Sequence, residues 1–189
     1  MEPTMKKRFP CLAALAAAAL VAACATPARV EQMVAQPAAA VEPASPALKG
    51  NVSVRDVTGG RDTNPAWMSS VGSSEFQRAL EQSLRAAGLL AENRQGGGYF
   101  VVADLQKLDQ PYLGASLTVS TTVSYHLVER ATGKDVYARV VVAPYTAEWN
   151  AAFFYNDRLR IANEGAMKAN IARLVDDLLL LKLAEAGTR

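Results

Sequence analysis

The chain has 189 residues, half of them hydrophobic, with 20 basic and 18 acidic side chains, one histidine and two cysteines. This length suits one domain plus a tether. A nearly balanced charge with no basic run in the body of the chain lacks the electrostatic footprint of nucleic acid binding, so no nucleic acid partner is expected. With His126 as the only histidine and no cluster of carboxylates spaced around it, neither a metal site nor another cofactor is expected.

Chain order begins with Lys6, Lys7 and Arg8, followed by the apolar run CLAALAAAALVAAC from Cys11 to Cys24. Basic residues, a short apolar core and then small residues make a secretory signal. A spanning helix needs about 20 predominantly apolar residues, and this run is short and rich in alanine. The residues Val21-Ala22-Ala23-Cys24 resemble the lipobox of bacterial lipoproteins. The resemblance implies a signal peptide over 1–23 and acylation of Cys24, which becomes residue one of the mature chain. Ala25 after the cysteine is similar to lipoproteins exported to the outer membrane, so the expected location is the outer membrane, lipid-anchored and facing the periplasm. Removing Lys6, Lys7, Arg8 and Glu2 leaves 17 basic and 17 acidic residues. Cys24 is then the one mature cysteine, which excludes an internal disulfide or a free thiol nucleophile.

Residues 24–49 are rich in Ala and Pro and poor in large apolar side chains, a composition expected to form an extended, mobile linker. Arg29 to Ala35 has the makings of a short helix before Pro37, Pro43 and Pro46. A single domain is expected over 50–189. Val52 and Val54 mark a short strand, followed by the turn-rich stretch from Thr58 to Pro65. Ser74, with Gln77 three residues on, reads as the cap of a helix whose buried face is Phe76, Leu80, Leu84 and Ala87, with Gly88 just past its end. Tyr99 to Leu108 reads as a second strand.

Leu117, Val119, Thr121, Val123, Tyr125 and Leu127 alternate with Ser116, Thr118, Ser120, Thr122, Ser124 and His126, a period of two that marks a third strand with one small, polar face. After the turn Ala131 to Lys134, Val136 to Ala143 forms the other arm of a hairpin, and Pro144, which cannot donate to a ladder, places its finish at a sheet edge or at the strand's own end. A final helix, capped by Asn156 or Asp157, buries Met167, Ile171, Leu174, Leu178 and Leu181. The order strand, helix, three strands, helix predicts an α+β fold: a four-stranded, largely antiparallel sheet with both helices on one face.

Element order together with Val21-Ala22-Ala23-Cys24 resembles the LPS-assembly lipoprotein and other envelope accessory lipoproteins. That resemblance implies a non-catalytic accessory or assembly factor that works with an envelope protein partner. The alternative is a lipoprotein that binds a small molecule such as a glycan or lipid headgroup.

The residues themselves carry no comparable signal for chemistry. There is no G-x-S-x-G elbow, and Gly96-Gly97-Gly98 precedes a strand rather than a helix, the wrong order for a phosphate cradle. No enzymatic activity is expected. Two features are candidates for interaction. The hydroxyl row Ser116 to Ser124 offers a flat polar face. The stretch from Ala143 to Arg158 concentrates Tyr145, Trp149, Phe153, Phe154 and Tyr155, which suits a partner hot spot or a membrane interface, or else a cap that folds back on the core. Trp67 can join either arrangement.

Overall fold

The computed structural model describes residues 25–37, 42–93 and 95–183. The expected signal peptide over 1–23 and the expected lipidation site Cys24 lie outside the described residues. The elements are α1 (Val30–Met33), a 3-10 turn (Pro46–Leu48), β1 (Val52–Thr58), α2 (Ser73–Ala86), β2 (Tyr99–Asp109), β3 (Leu117–Glu129), β4 (Asp135–Ala147) and α3 (Tyr155–Leu180). The sheet order is β1-β2-β3-β4, with β1 parallel to β2 and the remaining pairs antiparallel. A parallel pair needs a crossover, and α2 supplies it.

β3 shows why the sheet is one-sided. Leu117, Val119, Thr121, Val123, Tyr125 and Leu127 are buried, while the alternate residues are exposed or half-buried. Both long helices cover the buried face: Phe76 of α2 meets Tyr125 edge-on at 6.4 Å, and Asn170 of α3 accepts a hydrogen bond from the Tyr125 hydroxyl at 2.9 Å. Asn170 Nδ2 also donates to the Val141 carbonyl at 3.0 Å and to Thr121 Oγ1 at 3.1 Å, so α3 is stitched to both β3 and β4 through one fully buried amide.

The boundaries differ from the sequence reading in three places. Gly72, not Ser74, caps α2, without a side-chain cap hydrogen bond; Ser74 Oγ instead donates to Glu75. The cap of α3 is Phe154, with neither Asn156 nor Asp157 in that position. β4 runs past Ala143 through Pro144 to Ala147: of the two expected positions for Pro144 the structure has the sheet edge, where a residue without an N–H is tolerated. Gly88 does follow α2 with φ +69°, the left-handed conformation expected just beyond a helix end.

The largest departure concerns residues 25–37. Where composition predicts a mobile linker, these residues form a strap across the outer side of α2 and α3. Ala28, Val30, Met33 and Ala35 are buried in the main core, Met33 completely. Polar contacts fasten the strap. The Ala35 amide donates to the buried Ser83 hydroxyl at 2.9 Å. The Arg29 side chain grips the buried Glu164 carboxylate through Nε (3.0 Å) and Nη2 (3.0 Å), and its amide adds a third bond at 2.9 Å. Covered by the sheet on one side and the strap on the other, α3 buries Asn163, Glu164 and Asn170 beside its apolar stripe.

Candidate functional site

Strand directions gather three loops at one end of the sheet. Thr58, the last residue of β1, pairs with Asp104 midway along β2, Asp109 at the end of β2 pairs with Ser120 near the start of β3, and Leu117 pairs with Ala147 at the end of β4. The loops 59–72, 110–116 and 148–154 leave from that end, where α2 and α3 also begin.

Hydrogen bonds tie these loops together. Gln110 Nε2 donates to the Ser69 carbonyl and to Asn163 Oδ1, both at 2.8 Å, and Asn163 Nδ2 donates to the same Ser69 carbonyl at 3.1 Å. Tyr155 donates its hydroxyl to the Pro111 carbonyl, and burial holds its phenol above the ordinary tyrosine value. Ser116 donates to Glu148 at 2.8 Å. The strap starts here too: the Ala25 amide donates to the Pro65 carbonyl at 2.9 Å, and Ser69 Oγ donates to the Thr26 carbonyl at 2.7 Å.

From this bonded base, apolar side chains project outward. Trp67 is 72% exposed, Tyr112 78%, Leu113 88%, Trp149 68% and Phe153 90%. Their loops are locally fixed. The Asn64 carbonyl accepts from the amides of Trp67 and Met68, while Asn64 Oδ1 accepts from Ala66. Arg158 Nη1 donates to the carbonyls of Ala152 (2.8 Å) and Phe153 (2.9 Å), holding the turn that presents Phe153.

The five aromatics singled out from the sequence do not form one cluster. Phe153 and Phe154 meet edge-to-face at 5.2 Å, and Trp149 stands in the same loop. Tyr155 turns inward to Pro111. Tyr145 belongs to β4, and its half-exposed ring lies so close to α3 that a Cβ on Gly165 would sit 2.3 Å from it. Sequence reasoning passed over Tyr112 and Leu113, whose signal is two large apolar residues inside the turn Gln110-Pro111-Tyr112-Leu113-Gly114.

The uncovered face of the sheet is separate from the loop end. Across β3 and β4 it pairs Thr118 with Thr146, Ser120 with Pro144, Thr122 with Val142 and Ser124 with Val140, the two valines about half exposed. Thr118 and Thr146 share a hydroxyl hydrogen bond of 2.9 Å. His126 lies on this face with Nδ1 2.7 Å from Asp135 Oδ2. Among the described residues no three His, Cys, Asp or Glu side chains converge as a metal site, and no helix is long and apolar enough to cross a membrane.

No protein-family model matches the sequence, and comparison with curated proteins gives no match. Solved structures do resemble it. A Xanthomonas campestris protein of the DUF330 family superposes with a TM-score of 0.52 at 13% identity, covering 77% of this chain and 94% of its own. An inferred lipoprotein from Caulobacter crescentus CB15 superposes with a TM-score of 0.50 at 11% identity, covering 70% of this chain and 90% of its own. At these identities what the chain shares with them is the fold.

Proposed function

We propose that the protein is a lipid-anchored envelope lipoprotein, facing the periplasm from the outer membrane, that serves as a non-catalytic accessory or assembly factor for a membrane protein complex. The observation that carries this reading is the position of Ala25. It follows the lipobox Cys24 directly and is bonded to Pro65, so an acylated Cys24 holds the folded domain at the bilayer with no slack between them. That the Caulobacter neighbour is described as a lipoprotein agrees with it.

The strands run from the anchored end to the opposite end, so the uncovered β3–β4 face looks sideways, toward neighbours in the same membrane. Small hydroxyls interleaved with Val140 and Val142 make that face flat and partly apolar, which suits docking against another protein. Tethering both proteins to one membrane raises their effective concentration, so modest affinity suffices. Small-molecule binding is the second reading. It has a groove of about 400 Å³ beside the loop end, walled by Trp67, Tyr112, Arg61 and Gln110, the mixture of rings and polar groups a glycan uses.

A photo-crosslinking residue placed at Thr122 in cells, beside the same residue at the exposed Arg85 position of α2, tests the first reading. Capture of one envelope protein from Thr122 alone, lost with Cys24→Ser, supports it. Equal labelling from both positions contradicts it.

A further inference from the structure

The loop end that carries the exposed rings is also the end at which the strap begins, and these two facts arise independently. Strand pairing brings the loops together, whereas the hydrogen bonds of Ala25, Thr26 and Ala28 to loop 59–72 place the start of the strap. Cys24 is one peptide unit from Ala25, and consecutive Cα atoms are about 3.8 Å apart. Chains attached to Cys24 therefore leave the protein at its ring-bearing end.

We infer that this end is a membrane-docking surface: Trp67, Tyr112, Leu113, Trp149 and Phe153 seat in the interfacial layer of the bilayer that holds the Cys24 acyl chains. The inference rests on the lipid-anchored reading and adds an orientation to it. Indole and phenol rings are suited to that layer because each has an apolar body and a polar edge, while Leu113 and Phe153 reach into the acyl region. Three loops bonded at their base present five such side chains at one end, an exposed apolar surface of the kind that marks a contact.

The charge around the rings fits lipid in general rather than anionic lipid in particular. Exposed Arg61 and Lys107 are matched by exposed Asp62, Asp109 and Glu148, which leaves no basic surplus. Docking is accordingly insensitive to salt.

The chain contains two tryptophans, and both stand on this surface. The full lipoprotein is purified from membranes, its acylation is read by mass spectrometry, and it is reconstituted into phosphatidylethanolamine/phosphatidylglycerol vesicles with brominated acyl chains. The single-tryptophan variants Trp67→Phe and Trp149→Phe report each loop separately, and both positions are exposed enough to leave the fold intact. The expected result is a blue-shifted emission quenched by the brominated lipid in both variants, unchanged at high salt. Acylated protein that stays on the vesicles with unquenched, acrylamide-accessible tryptophans overturns the orientation while leaving the anchor standing. Tryptophans unquenched by lipid yet shielded from acrylamide put a protein surface over the patch and overturn it equally. A chain without an acyl group removes the anchored reading itself, and this orientation with it.

Discussion

Met33 offers the sharpest test of the strap. Its side chain is completely buried between the strap and the two long helices, in a segment whose composition alone reads as a linker. Truncating a buried methionine to alanine costs about 2–5 kcal/mol, the transfer term plus the cavity left behind. The strap is a peripheral layer, so the loss is capped by its own docking free energy, beyond which it peels away while the sheet and helices persist. We therefore expect Met33→Ala to destabilise the domain by about 2–3 kcal/mol, within that range. With a denaturant slope of about 2 kcal/mol per molar urea, the midpoint falls by about 1–1.5 M. The assay is urea unfolding of the mature chain carrying Cys24→Ser, followed by far-ultraviolet circular dichroism. Val140→Ala, on the uncovered sheet face, is the control and should stay within about 0.5 kcal/mol. A Met33→Ala midpoint that matches the control would refute the docked strap and restore the mobile linker.

Further expectations concern the core. Asn170→Ala leaves the Tyr125 hydroxyl and the Val141 carbonyl without their buried partner, and should cost about 2–4 kcal/mol in the same unfolding assay, against about 1 kcal/mol for Tyr125→Phe. In the double variant the two losses should fall short of additive; strict additivity would mean that the bond is not made. Gly165→Ala should destabilise in the native background, because the new Cβ meets the Tyr145 ring at 2.3 Å, and stabilise by about 0.5–1 kcal/mol once Tyr145→Ala has cleared the space, as helix propensity then dominates. The same sign in both backgrounds would refute that contact.

Alkaline pH supplies a separate probe. Burial holds the phenols of Tyr125 and Tyr137 above the ordinary tyrosine value, with the hydrogen bond to Asp177 adding to the effect on Tyr137. Because the unfolded chain gives up these protons first, their contribution is complete below about pH 10 and is lost as pH rises toward the folded values. Ultraviolet titration should show these two phenols ionising only with unfolding, and Tyr137→Phe should flatten the alkaline loss of stability. Ionisation of all six tyrosines near pH 10 in the folded chain would contradict this account.

The sheet was legible because its signal is local. The strict alternation in β3 fixes which side chains face the helices, and Met167, Ile171, Leu174 and Leu178 fix the inward side of α3. Caps were read less well because polar side chains near helix starts were drawn into other contacts. Ser73, next to the expected cap, accepts a hydrogen bond from the Gly60 amide, and Gly72 takes the cap position. The strap was hidden by averaging. One buried methionine, one valine and two alanines suffice to fill the groove over α2 and α3, yet they sit among prolines and polar residues that make the stretch look unstructured. Glu164 gave no local sign of burial, since its partner Arg29 lies 135 residues away.

At the candidate site the sequence supplied individual rings but not their grouping. Density of aromatics between Ala143 and Arg158 was visible, but Tyr145 lies against α3 and Tyr155 bonds to Pro111, whereas Tyr112 and Leu113, in a different loop, share the end that presents Trp149 and Phe153. That grouping depends on strand direction and on the parallel β1–β2 pair, neither of which is written in any one segment.

The central claim is that Cys24 carries lipid and sets the domain directly on a membrane. Intact-mass and N-terminal peptide spectrometry of the protein extracted from cell membranes tests it most directly. The account predicts a chain that begins at Cys24 and carries a thioether-linked diacylglycerol. A membrane-extracted chain that retains residues 1–23, or that begins elsewhere without lipid, would contradict it.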